Sequence, residues 1–82
     1  MFFEQHKEIN LDNLRSITFS NDHKNLLASS NNEILIYDSS SFDLVDRLKG
    51  HTNNIRALKF SPCGKYLASG SWDQTIILWD FQ

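Results

Sequence analysis

The segment from Gly50 to Asp80 reads GHTNNIRALKFSPCGKYLASGSWDQTIILWD and alternates short apolar runs with turn residues. Three runs have the length and composition of β-strands: residues 55–60, 66–70 and 75–79. Between the first two, Pro62 presets φ and Gly64 supplies a positive φ, as a tight turn requires. No stretch shows helical periodicity. The segment therefore predicts an all-β structure.

The same pattern occurs twice in the chain. The matched segments are 13–20 with 54–61, 27–29 with 67–69, and 34–38 with 76–80, at offsets of 41, 40 and 42. The strand-like runs of the first copy are 14–19, 26–29, 33–37 and 42–48. A period of about 41 residues is typical of the four-stranded blades of β-propellers.

The second copy resembles the WD40 repeat family. It opens with Gly50-His51 and closes with Trp79-Asp80. The family's intervening residues follow in order: Phe60-Ser61-Pro62, Gly64-Lys65, Leu67-Ala68-Ser69-Gly70-Ser71 and Asp73. The first copy departs from the family, because it has Ile9-Asn10 in place of Gly-His and Tyr37-Asp38 in place of Trp-Asp.

This resemblance implies an incomplete β-propeller. We expect two four-stranded antiparallel WD40-type blades, the second lacking its fourth strand. Residues 9–49 form a degenerate repeat, and residues 50–82 form a truncated one. Residues 1–8 are an N-terminal segment that is a candidate outer strand of another blade.

Two blades leave apolar flanks that a closed ring would bury. Two explanations stay open. The chain is a piece of a longer propeller, which we favour because it stops at Gln82, where a fourth strand should begin. Alternatively, copies associate head to tail into a homo-oligomeric ring, and residues 2–8 complete the second blade of a neighbour.

The resemblance also implies a structural hydrogen-bond tetrad of His51, Ser69, Asp73 and Trp79. The serine position is open between Ser69 and Ser71, because both lie on one side of the same predicted strand. The alternative interpretation is a hydrolase, since a Ser-His-Asp trio can activate a serine hydroxyl. No Gly-x-Ser-x-Gly turn accompanies the trio, so we favour the structural role.

Composition disfavours several other functions. The formal net charge is −2, which disfavours nucleic acid and anionic membranes as partners. The three histidines and the single Cys63 lack the spacing of metal ligands, and no glycine-rich phosphate loop is present, so we expect no metal and no cofactor. A lone cysteine and the absence of a secretory pattern favour the cytoplasm, with the nucleus left open.

The expected function is therefore a protein-interaction scaffold without catalysis. Trp72 precedes the turn Asp73, in a loop that the resemblance places on the rim around the central channel. Exposed Trp and Arg are enriched in binding hot spots. We predict a partner-binding surface of Trp72, Asn53, Asn54 and Arg56, with other proteins and the missing blades as partners.

Overall fold

A computed structural model describes residues 3–81 of the chain. Its strands are β1 (Ile17–Phe19), β2 (Asn25–Ser30), β3 (Glu33–Asp38), β4 (Leu44–Lys49), β5 (Ile55–Phe60), β6 (Tyr66–Ser71) and β7 (Ile76–Asp80). Strands β1-β2-β3-β4 form one antiparallel sheet, which we call blade one, and β5-β6-β7 form blade two. The all-β prediction is confirmed, including the three-stranded second blade.

The hairpin turns that precede β2 and β6 use a left-handed residue at the same place. In blade one this residue is His23, with φ 62°, and in blade two it is Gly64, with φ 77°. A Cβ atom on Gly64 would lie 2.9 Å from Cβ of Asn21 in blade one. Blade two therefore needs glycine for its backbone conformation and for the close approach of its neighbour.

Strand register shows which residues of the two blades correspond. Phe19 pairs with Leu26 in blade one, and its counterpart Phe60 pairs with Leu67 in blade two. Strands β2 and β6 therefore correspond at an offset of 41, the same offset that relates β1 to β5.

The register corrects the sequence alignment of residues 27–29 with 67–69. Ala28, and not Ser29, is the counterpart of Ser69. Between its first and third strands, blade two has one residue more than blade one. This residue lies in the turn between β6 and β7, because the β1–β2 and β5–β6 turns are equally long. The shared Leu-Ala-Ser letters were misleading because turn length sets strand register.

The core lies between the two blades. Its buried members are Leu27, Ile34 and Ile36 of blade one and Ile55, Leu58 and Leu67 of blade two. Backbone groups also join the blades, because Ile55 N–H donates to the Asn31 carbonyl at 2.8 Å and Leu58 N–H donates to Ser16 Oγ at 3.2 Å. The two sheets therefore form one packed unit.

The other face of blade two is open. Ile76 and Leu78 are 74% and 68% exposed, whereas their counterparts Ile34 and Ile36 are 0% and 7% exposed. We call this face, with Tyr66 and Ala68, the open flank. In blade one, the positions equivalent to Ile76 and Leu78 pack against the next blade, which is blade two.

Some predicted strand limits were wrong. Strand β1 begins at Ile17 rather than residue 14, because the amides of Arg15 and Ser16 donate to Ser29 Oγ instead of to a neighbouring strand. Strand β4 begins at Leu44 rather than residue 42, where φ is 60°.

The N-terminal segment belongs to no strand between residues 3 and 8. Lys7 Nζ donates to the Phe42 carbonyl at 3.1 Å, which attaches this segment to blade one. An outer strand here requires a sheet edge to pair with, so its role in another blade stays a prediction. Residues 1 and 2 of that predicted strand lie outside the described part of the chain.

Candidate functional site

A chain of hydrogen bonds runs through the side of blade two that faces blade one. Trp79 Nε1–H donates to Ser69 Oγ at 2.8 Å. Ser69 Oγ lies 2.7 Å from His51 Nε2, and His51 Nδ1 lies 2.9 Å from Asp73 Oδ2. The structure thus brings together all four residues of the predicted tetrad.

The chemistry of the end groups orders the donors in this chain. The indole nitrogen of Trp79 only donates, and the carboxylate of Asp73 only accepts. In the neutral imidazole with its proton on Nδ1, Nδ1–H donates to Asp73 and Nε2 accepts from the Ser69 hydroxyl, which itself accepts from Trp79. Every member of the tetrad then has a partner, and none is left unsatisfied in a buried position.

The carboxylate of Asp73 accepts further hydrogen bonds from residues outside the tetrad. It accepts at Oδ1 from the hydroxyl and amide of Thr75, at 2.5 and 2.9 Å, and at Oδ2 from the amide of Thr52 at 3.0 Å. The Thr75 hydroxyl is the largest cause that holds the pKa of Asp73 far below its usual value; Thr52 and His51 add to this effect, and desolvation opposes it. The carboxylate therefore ties the loop after β4 to the β6–β7 turn.

Ser71 has a different role from Ser69. Its hydroxyl lies 3.0 Å from the carbonyl oxygens of both Asn53 and Asn54, and it accepts from the amide of Asp73 at 3.1 Å. Ser71 therefore fixes the backbone of the loop before β5 and makes no contact with the histidine.

Burial argues against the hydrolase interpretation. Ser69 is 0% exposed and His51 is 3% exposed. The Ser69 hydroxyl lies between Trp79 Nε1 and His51 Nε2, at 2.8 and 2.7 Å, in this buried position. A substrate has no access to this hydroxyl while the two blades remain packed.

Blade one fills the corresponding space with apolar groups. Ala28, Leu35 and Tyr37 form a buried cluster, and Ile9 and Leu11 pack against it. A Cβ on Gly50 would lie 3.0 Å from Cη2 of Trp79, so a side chain there would crowd the large indole. In blade one the sizes are exchanged, because Ile9 replaces the glycine and the smaller Tyr37 replaces the tryptophan.

Trp72 lies on the surface beside the tetrad. It is 50% exposed, and its amide donates to the Asn54 carbonyl at 3.0 Å. The Arg56 guanidinium carbon lies 4.3 Å from the ring centroid, and that of Arg15 lies 5.8 Å from it. The side chain of Asn53 accepts from the amide of Asn54 at 2.7 Å, so it shapes the loop. The four predicted surface residues are therefore neighbours.

Arg15 is a member of this surface that the sequence interpretation missed. It comes from blade one, far from Trp72 in the chain, and no local motif marks it. The only signal in the sequence is its offset of 41 from Arg56, which places it at the equivalent position of the other repeat.

Neither a metal site nor a membrane-spanning helix is found in the described part of the chain. Across residues 3–81, no cluster of three His, Cys, Asp or Glu side chains is arranged to hold a metal ion. In the same part of the chain, no helix has the length and hydropathy needed to cross a membrane.

Comparison with known families identifies the repeats. Residues 1–38 and 42–80 each match the profile of the family described as "WD domain, G-beta repeat". The chain belongs to the WD40 repeat family. The second match includes β4 as its first strand, and residues 1–8 stand at the same place in the first match.

Several curated proteins are similar to the chain. It is 35% identical over 63 residues to "Intraflagellar transport protein 122 homolog" of Danio rerio, covering 77% of the chain and 5% of that protein. It is 35% identical over 66 residues to "Guanine nucleotide-binding protein subunit beta" of Schizosaccharomyces pombe, and 39% identical over 69 residues to "Target of rapamycin complex subunit wat1" of the same yeast. Each of these two matches covers 80% of the chain and 22% of the relative. The chain thus spans only a small part of these proteins.

The fold is similar to that of a solved propeller. The β-propeller domain of Cps50 (Swd1) from Myceliophteria thermophila superposes with a TM-score of 0.80 at 28% identity. The match covers 92% of the chain and 23% of that domain's chain. Both blades therefore have the arrangement found in a WD40 propeller.

Proposed function

We propose that the chain forms part of the wall of a β-propeller that binds other proteins and carries out no chemistry of its own. The observation that carries this proposal is Trp72, which is half exposed and has the Arg56 guanidinium carbon 4.3 Å from its ring centroid. Exposed Trp and Arg on a rigid support are the residues that most often dominate protein interfaces. The tetrad supplies that rigidity, because it fixes both loops that carry this surface.

The open flank supports a larger assembly. Its counterparts in blade one are buried by blade two, so the same positions in blade two fit a following blade. Burying a side chain such as Ile76 or Leu78 stabilises by about 1.5–3 kcal/mol. We infer that further blades, on the same chain or another, cover this flank in the functional state.

The binding surface is tested by quantitative capture of proteins on the wild-type chain, on Trp72→Ala and on Tyr66→Ala. Tyr66 is a matched control, because it is 42% exposed but lies on the open flank. We expect at least one protein that binds the wild type to be lost on Trp72→Ala and retained on Tyr66→Ala. Proteins retained on Trp72→Ala and lost on Tyr66→Ala would overturn the proposed surface.

The absence of catalysis is tested with a simple activated ester as substrate. We expect hydrolysis by the wild-type chain to equal that of Ser69→Ala, because the hydroxyl is buried. Hydrolysis that requires Ser69 would overturn the proposal in favour of the Ser-His-Asp enzyme.

A further inference from the structure

Two cationic side chains converge on one exposed indole. Arg56 comes from blade two and Arg15 from blade one, and both guanidinium groups lie within 6 Å of the Trp72 centroid, at 4.3 and 5.8 Å. We call Arg15, Arg56 and Trp72 the arginine cluster. It is the only place among residues 3–81 where two cations contact one aromatic ring.

Backbone geometry aims Arg56 at this position. The pairing of β5 with β6 shifts register between Ile55 and Ala57, so Arg56 is the additional residue of a β-bulge. Bulges redirect a side chain relative to the regular alternation of a strand. Arg15 precedes the shortened strand β1, where Ser29 Oγ binds its amide. The two arginines are thus at equivalent places in the repeat, Arg56 in a bulge of β5 and Arg15 just before β1.

The guanidinium groups have unused donors. A cation–π contact is made through the charge of the guanidinium and uses none of its N–H groups as a hydrogen-bond donor to the protein. Within residues 3–81, neither Arg15 nor Arg56 forms an ion pair, and no side-chain N–H of either one donates to the protein. By contrast, Arg47 on β4 is paired with Glu33 at 3.3 Å.

Charge gives the cluster a preferred ligand. Two like charges beside one ring repel each other, and an anion between them would remove that repulsion. The chain as a whole has a net charge of −2, so this positive surface is local and not a general basic face. Arginine forks bind carboxylates with two parallel hydrogen bonds, and the indole offers an apolar surface to the carbon atoms of the same side chain.

We propose that the arginine cluster binds an acidic side chain, Glu or Asp, on a peptide segment of a partner protein. This inference rests on the proposed function, since it names the chemistry recognised by that binding surface. A nucleic acid is the competing ligand, and the net negative charge of the chain disfavours it.

The test is a titration of the full 82-residue chain, labelled with ¹⁵N, with a blocked glutamate–glycine peptide. The matched probes are a glutamine–glycine peptide of the same length and an oligothymidylate. The indole N–H signal of Trp72 reports binding, and that of Trp79 is an internal control because it is bonded to Ser69. We expect the glutamate peptide to shift the Trp72 signal and to bind at least about fivefold more tightly than the glutamine peptide.

Four variants test which arginines are responsible. Arg56→Gln and Arg15→Gln should each reduce the preference for glutamate, and together they should bring it to within about twofold of none. Arg47→Gln changes the net charge equally but lies elsewhere, so it should retain the preference. Equal binding of both peptides, an undiminished preference in the double variant, or tighter binding of oligothymidylate would each overturn the proposal.

The outcome separates this inference from the proposed function. If protein capture depends on Trp72 but glutamate and glutamine peptides bind equally, the surface binds proteins by other contacts and only the acidic ligand is wrong. If capture does not depend on Trp72, the proposed binding surface itself fails.

Discussion

In blade two, the space beside Trp79 contains a chain of hydrogen-bonded side chains, whereas in blade one the space beside Tyr37 contains apolar side chains. The first three strands of each blade pair in the same antiparallel order. The space beside this aromatic residue of the third strand can therefore be filled in two ways. The apolar solution requires only matched volumes, while the polar solution requires every donor and acceptor to be paired, since an unsatisfied buried group is costly.

The two solutions differ in what they position. The apolar cluster of blade one packs one face of its sheet. The tetrad of blade two instead ends at Asp73, which accepts hydrogen bonds from the two loops beside Trp72. The surface with exposed Trp and Arg is built mainly on the blade that has the tetrad. Substitutions at equivalent positions of the two blades test this difference.

The largest expected contrast is between the buried face of blade one and the open flank of blade two. Ile34→Ala should lower the free energy of unfolding by about 2–5 kcal/mol, because its side chain is fully buried. Ile76→Ala at the equivalent, exposed position should change it by less than about 0.5 kcal/mol in the chain alone. Denaturant unfolding of both variants measures this, and equal losses would show that the flank is already covered.

The tetrad histidine gives the next contrast. His51→Ala should lower the free energy of unfolding by about 1–3 kcal/mol, because Ser69 and Asp73 lose a buried partner. Asn10→Ala at the equivalent position of blade one should have an effect below about 0.5 kcal/mol, since Asn10 is exposed. Similar effects at both positions would contradict the structural role of the tetrad.

Acid should weaken blade two through Asp73. Its pKa is lower in the folded chain than in the unfolded chain, so the folded state binds fewer protons and stability falls as the pH falls. The contribution is complete above the unfolded pKa, about 3.9, and decreases below it. Melting temperatures between about pH 5 and pH 2 should therefore depend less on pH in Asp73→Asn than in the wild type.

Thr75→Val should also reduce the pH dependence of the melting temperature, but by less than Asp73→Asn does. It removes the hydroxyl that contributes most to the lowered pKa of Asp73. An unchanged pH dependence in Asp73→Asn would show that another carboxylate controls acid unfolding. Asp22 and Asp38 of blade one are the alternatives. The Ser20 hydroxyl and the Lys24 amide lower the pKa of Asp22, and the amides of Ser41 and Ser40 lower the pKa of Asp38.

The smallest expected effects are at the hairpin turns. His23→Gly should raise the free energy of unfolding by up to about 1 kcal/mol, since it relieves a left-handed residue. Gly64→His should lower it by more than this, because a side chain there also approaches Asn21. Opposite signs in thermal melts of the two variants are the expected result, and equal signs would contradict the packing described for this turn.

The sequence predicted the fold well because repeated strands and turns leave a periodic signal. It predicted the tetrad through the positions of His51, Asp73 and Trp79 in the family pattern, and the hydrogen bonds then distinguished Ser69 from Ser71. It misaligned β2 with β6 by one residue, because identical letters at Leu-Ala-Ser carry no information on turn length. It did not reveal Arg15, because a contact between blades depends on their packing and not on local pattern.

The tetrad is tested most directly by hydrogen exchange of the two indole N–H groups in the wild-type chain and in Ser69→Ala. We expect Trp79 N–H, bonded to Ser69, to exchange at least about a hundredfold more slowly than exposed Trp72 N–H. We also expect Ser69→Ala to abolish most of that protection and to leave Trp72 unaffected. Similar exchange of both indoles in the wild type would contradict the claim that a buried hydrogen-bond chain holds blade two together.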